Sequence, residues 1–184
     1  MRCAVILSVF GLGIVSVSLR AQQPTEATDV TREQIESVLT APEGGVDRQV
    51  RVVDIGKSNV GVGILHRSRV ENSRGPVRGI VHTQVTEVYY ITSGGGTLVT
   101  GGSLLEPYDI PSDSPIVTEL VGASISASTD GGHSREVKVG DVVVIPAGVF
   151  HGWRQVDDHV TYLSIRPDPD KVLPAGYLNP VAEK

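Results

Sequence analysis

Cysteine, aromatic side chains and positive charge are what this chain of 184 residues has least of. Cys3 is the only cysteine, so neither a disulfide framework nor a cysteine-based zinc site can hold the fold. Aromatic residues make up 4% of the chain, and 16 Lys and Arg face 21 Asp and Glu, a net charge of −5. A basic patch interleaved with aromatics is therefore missing, which excludes nucleic acid and anionic membrane surfaces as partners. Also absent are a glycine-rich phosphate loop, a nucleophile elbow and any internal repeat, so the chemistry those motifs carry is set aside.

Glycine is plentiful, at 21 residues, and the segments between glycines are rich in Val, Ile and Thr. That pattern predicts a single all-β domain with many tight turns. The first 21 residues read differently. Arg2 gives a positive start, an apolar run follows, and Gln22-Gln23-Pro24-Thr25-Glu26 is polar. This is a secretory signal pattern with cleavage expected near Ala21, giving a secreted or periplasmic protein with no stable membrane span. The alternative is an uncleaved anchor, because an apolar run of about 17 residues reaches the lower limit for a span.

Residues 22–48 are expected to form a leader and one short helix. Thr31-Arg32-Glu33-Gln34 has the spacing of a capping box, and Ile35, Val38 and Leu39 then share a helical face. The period changes to strands over residues 49–167. Strands are predicted at 50–55, 60–66, 79–84, 87–92 and 96–100, with a hairpin turn at 93–95 and a loop or weak edge at 67–77. A long loop is predicted at 101–115, a strand at 116–128, and a strand at 135–139 after a turn at 129–132. A final hairpin, 151–156 and 160–166, is predicted across Asp157-Asp158-His159, with an outer tail over 168–184.

The stretch around which the others are organised is Gly140-Asp141-Val142-Val143-Val144-Ile145-Pro146-Ala147-Gly148-Val149-Phe150-His151. Val142 to Ile145 suit a pleated, buried strand, Pro146 ends its pairing, and Gly148 lets the chain reverse. His151 is then held inward from a rigid corner, and a site on a rigid element is well placed.

Gly140, Pro146, Gly148 and His151 match every spacing of the second cupin motif, G-x5-P-x-G-x2-H-x3-N, with Gln155 at the Asn position. Glu87 and Gly94 match the E-x6-G half of the first motif, G-x5-H-x-H-x3-4-E-x6-G. Over residues 60–166 the chain thus resembles the cupins, which implies a double-stranded β-helix, a jelly-roll barrel, with the short helix added at its N-terminus. The family's histidine pair is represented by His82 alone. With His82 first, Gln84 takes the second place. With His82 second, Ile80 takes the first.

The resemblance implies a divalent transition metal, Fe, Mn, Ni or Zn, on His82, Glu87 and His151, with Gln84 as a further oxygen donor. Two imidazoles and a carboxylate are a set those ions accept, and they leave open positions for water or a small-molecule ligand. With His151 and Glu87 inward, strand alternation brings Tyr89, Trp153 and Gln155 inward as pocket residues. Glu87 and Tyr89 are the candidates for moving protons. His66, at a strand end, is a possible replacement ligand, and His133 and His159 read as turn residues. Three functions stay open: a metal-dependent dioxygenase, isomerase or lyase; a non-catalytic small-molecule-binding protein; and a structural module. A homodimer is implied by resemblance.

Overall fold

The computed structural model describes residues 24–71 and 74–183, so the expected signal segment lies outside the described residues. Helix α1 spans Arg32–Thr40 and opens as its sequence predicts. The Gln34 amide donates to Thr31 Oγ1 at 3.3 Å, and the Thr31 amide donates to Gln34 Oε1 at 3.1 Å. At its other end the Arg48 guanidinium donates to the carbonyls of Val38, Leu39 and Ala41, which the last helical turn leaves without partners.

Nine strands follow: β1 (Asp47–Asp54), β2 (Asn59–Val70), β3 (Val77–His82), β4 (Glu87–Thr100), β5 (Ser103–Asp109), β6 (Ser124–Asp130), β7 (His133–Lys138), β8 (Val142–Ile145) and β9 (His151–Asp168). All pair antiparallel. One layer has the order β1-β2-β9-β4-β8, using the second half of β9 and the first half of β4. The opposite layer has the order β5-β6-β3-β9-β4-β7, using the other halves of the same two strands. Strands β4 and β9 therefore run through both layers and bend between them. The principal core lies inside, where Leu65, Tyr89, Ile91, Leu98, Trp153 and Tyr162 meet. Helix α1 lies outside, its Val38 against Val50, Ile64 and Ala182.

Several expectations are corrected here. The predicted hairpin turn at 93–95 is the bend inside β4, and Asp157-Asp158-His159 lies within the unbroken β9. Glycines and aspartates there signal close approach rather than reversal. Gly94 has φ +67°, and a Cβ on it would sit 1.9 Å from the His159 carbonyl oxygen. Strand β2 continues to Val70, through part of the predicted loop, because β9 runs alongside it to pair Val70 with Val156. The loop predicted at 101–115 contains β5, which pairs with β6 across a bulge between Leu105 and Tyr108. The strand predicted from Ile116 begins instead as a π-helical segment, Ile116–Val121, with β6 starting only at Ser124. Strand β8 is half-buried rather than buried, with Val142 and Val144 facing out. The C-terminal tail returns along the free edge of β1, where the Val52 amide donates to the Tyr177 carbonyl and the Asn179 amide donates to the Val50 carbonyl.

Gly94→Ala is expected to destabilise the protein by about 2–4 kcal/mol, combining left-handed backbone strain with a contact no rotamer relieves. Urea unfolding of this variant beside Gly131→Ala checks it. A Cβ at Gly131 meets nothing within 4 Å, so only the strain part should appear there.

Candidate metal centre

Three elements deliver the site. His82 ends β3, Glu87 begins β4 after a short bend, and His151 begins β9 at the Pro146-Gly148 corner. The Gly148 amide donates to the His82 carbonyl at 2.8 Å, which ties the corner to the end of β3. Ile80 pairs with His151 across β3 and β9. A Cβ on Gly79 would meet the His151 carbonyl oxygen at 2.2 Å and the Phe150 ring at 2.5 Å, so glycine lets β9 come this close.

Ligand atoms of His82, Glu87 and His151 all lie within 4.8 Å of one another, and all three residues are buried. His82 Nε2 and His151 Nε2 each stand 3.2 Å from Glu87 Oε2. The far side of each ring decides its tautomer. His151 Nδ1 faces the Val149 carbonyl, which can only accept, at 3.2 Å. His82 Nδ1 faces Ser124 Oγ at 2.9 Å, and that hydroxyl donates onward to the Gly122 carbonyl. Both rings then carry hydrogen on Nδ1, and a neutral ring presents a lone pair at Nε2. Burial pushes His82 below the ordinary imidazole range despite the nearby carboxylate. Burial also works to raise Glu87, but the hydrogen bonds it accepts and the Arg166 guanidinium outweigh that and hold it well below the carboxylate range. Three electron-pair donors thus converge in a buried space. A cation between them relieves the arrangement, and the donor chemistry fits a divalent transition metal.

The rest of Glu87 is fully engaged. Tyr89 Oη donates to Oε2 at 2.8 Å, Ser164 Oγ donates to Oε1 at 2.7 Å, and Arg166 Nε reaches Oε1 at 3.3 Å. Burial and the Glu87 charge raise Tyr89 well above the usual phenol range, so it stays a hydrogen-bond donor. Arg166 has no exposed surface. It donates to both oxygens of Asp47 at 2.6 Å, to Gln49 Oε1 at 2.7 Å and to the Leu120 carbonyl at 3.2 Å. Burial lowers its affinity for the proton, and Asp47 and Glu87 more than restore it.

A cavity of about 280 Å³ opens onto the three residues, walled by Leu65, Arg67, Ile80 and Tyr89 and covered by Leu120 and Val121 of the π-helical segment. Ile80 and His82 face the same space, so Ile80 stands where the family motif carries its first histidine and His82 where it carries its second. Gln84 lies outside. Its side chain is directed to Asp170 on the surface. Gln155 also lies outside, donating to Asp157 beside a separate surface groove. Trp153 lies behind the site, where its Nε1 donates to Tyr162 Oη at 3.3 Å. His66 points away from the cavity, bonding Thr161 and stacking on His159 at 5.7 Å. His159 in turn bonds Ser93 and Asp158.

Sequence reasoning missed Arg166, Asp47, Ser164 and Ser124. A signal was present for two of them, since Tyr162, Ser164 and Arg166 alternate on the inward face of β9, and a cation on such a face requires a buried acid.

Arg166→Met is expected to cost about 3–5 kcal/mol, because it leaves Glu87 and Asp47 without their shared counter-charge. The denaturant midpoint reports it. In chelator-treated protein Glu87 binds its proton more weakly when folded than at the reference value of 4.5. Its contribution to stability is therefore present above about pH 4.5 and lost as pH falls through the lower, folded value. Urea midpoints taken between about pH 6 and pH 3 should fall steeply, and less so in Glu87→Gln.

No family model matches the chain, and no curated protein matches it. Solved structures give distant likenesses. A protein from Bacillus halodurans is 15% identical with a TM-score of 0.46, over 85% of this chain and 92% of that one. A cupin protein from Bacteroides fragilis is 17% identical with a TM-score of 0.38, over 75% and 89%. A Klebsiella pneumoniae protein with a double-stranded β-helix domain is 15% identical with a TM-score of 0.40, over 79% and 93%. Resemblance at that level adds nothing to the site, but the chain's own strand order and its Glu87 and His151 motifs give it the double-stranded β-helix fold of the cupins.

Proposed function

We propose that this chain is an exported cupin that holds one divalent transition-metal ion on His82, Glu87 and His151 and presents it to a small molecule in the barrel. The observation that carries this reading is the convergence of three buried electron-pair donors within 4.8 Å. Both imidazoles are oriented by hydrogen bonds at Nδ1, to Ser124 and to the Val149 carbonyl, which fix the ring and its tautomer as metal-binding histidines require. A bound ion would supply a Lewis acid, and as iron or manganese also redox chemistry.

The protein's own groups narrow the chemistry. Glu87 is committed to the ion and to Tyr89, Ser164 and Arg166, so it is not a free base. Tyr89 keeps its proton and points it at Glu87 Oε2, so it serves to orient that carboxylate from the cavity wall. This suits a dioxygenase, isomerase or lyase that acts through the ion, or a binding protein that uses the ion as an anchor. Ile80 in the place of a histidine favours a second reading, a metal-free cupin that binds small molecules. Export rests on residues 1–21 with cleavage near Ala21. A homodimer is favoured by the exposed Tyr90, Val142 and Val144 on one outer sheet face.

Elemental analysis of protein purified without chelators or a histidine tag tests the site. Close to one equivalent of Fe, Mn, Ni or Zn is expected, with loss of most of it in His151→Ala. An empty wild-type protein that also refuses all four ions on reconstitution supports the metal-free reading instead. The intact mass of the exported form should correspond to a chain starting at Gln22.

A further inference from the structure

Among the described residues Arg67 is the one cation walling the cavity, and the metal-ligand set leaves it unused. It lies on β2, two residues beyond Leu65, with its side chain on the same inward face. Among the described residues its only hydrogen bond runs from Nε to Tyr162 Oη at 3.3 Å. Tyr162 is itself fixed by the Trp153 indole N–H and by packing on Tyr89, 4.4 Å between ring centroids. The guanidinium is thus held in place by one nitrogen. Its other two nitrogens have no hydrogen-bond partner among the described residues, and both candidate acids are occupied elsewhere: Asp47 with Arg166, and Glu87 with the site and Arg166. Arg67 also borders a second hollow, of about 390 Å³, on the far side of Ile80 and Tyr89.

The charges point the same way. Asp47 and Glu87 both pair with Arg166, and the unpaired charge of Arg67 brings these four side chains to zero, so a divalent ion on the histidines would leave the cavity two charges positive. An anion is the complement of such a space. Much of the remaining wall is aliphatic, from Leu65, Ile80, Ile116, Leu120 and Val121, with the Tyr89 ring and the Arg166-paired Asp47 beside them. At about 280 Å³ the cavity falls just below the range typical of drug-sized ligands. A planar carboxylate matches the two free guanidinium nitrogens as a fork, whereas a phosphate dianion requires more donors than these walls offer.

We propose that Arg67 is a ligand-binding residue and that the cavity takes a small monocarboxylate with a short apolar body. The carboxylate lies on Arg67 and the body lies against Ile80 and Leu120, within reach of the ion site. The proposal rests on the functional reading above and adds the chemical class of its small molecule.

Titration calorimetry on the full mature protein tests it, with and without bound Zn(II), using propanoate to hexanoate, the matching primary amides and inorganic phosphate. Zinc content is read separately for each sample. The acids are expected to bind about tenfold or more tightly than the amides, as a lost charge-assisted hydrogen bond implies. Arg67→Met should lose that preference at unchanged zinc content, Arg67→Lys should keep part of it, and Arg32→Met on the α1 surface should keep all of it. Equal binding of acid and amide by the wild type overturns the proposal, as does tighter binding of phosphate, and neither outcome depends on a variant folding. Undiminished acid binding by Arg67→Met overturns it too. Zinc uptake without carboxylate binding at millimolar concentration overturns this proposal and leaves the metal reading standing. Arg67-dependent carboxylate binding by a protein that takes up no ion does the reverse.

Discussion

Arg166 inside the barrel is the constraint on which the other features depend. A guanidinium with no access to water is tolerable only when each of its donors has a partner. Asp47, Gln49, Glu87 and the Leu120 carbonyl provide them, from β1, β4 and the π-helical segment. Glu87 in turn remains anionic in an apolar interior because Arg166 lies behind it and polar groups surround it. Remove the arginine and the carboxylate would be driven toward its neutral form, with no reason for two imidazoles to face it. The candidate metal centre and the closure of the barrel end thus draw on the same charge.

That arrangement also explains the irregular covering of the cavity. Residues 116–121 wind as a π-helix, a geometry rare in proteins and associated with functional sites. Here it places the Leu120 carbonyl on Arg166 and the Leu120 and Val121 side chains over the cavity. Continuing β6 backwards as a strand would have extended the sheet and left the barrel mouth open. Pro115 ahead of the segment and Gly122 after it, at φ +70°, mark where the chain departs from the sheet and returns.

Much of the fold was legible because its signals are local. The Thr31 capping box, the Gly140 to His151 corner and the shift to β-branched residues after Gln49 each depend on neighbours within a few residues. The lone His82 was legible as a site residue, but its register was not, since a turn separates it from Glu87 and resets the alternation. Only the approach of β9 to Ile80 settles it. Glycines 94 to 96 misled for a related reason. Glycine serves a reversal and a close strand crossing equally well, and which one applies is decided by β9, more than sixty residues further on. Gln84 and Gln155 sat at motif positions, yet Gln84 lies in the bend after β3 has ended, and a register shift between Trp153 and Gln155 turns Gln155 outward and Val156 inward. Arg166 was hidden because its partners Asp47 and Glu87 are 119 and 79 residues away.

Those separations set the order in which the protein can be completed. His82 and Glu87 are made long before His151, and the arginine that keeps Glu87 ionised comes near the end of the last strand. A partly synthesised chain has the carboxylate but not its counter-charge, and one imidazole but not the other. The donor set does not exist until β9 has entered both layers. On the proposed reading an ion would be selected where folding ends, and the metal pool there, as much as the chemistry of the ligands, would determine which ion the barrel closes around.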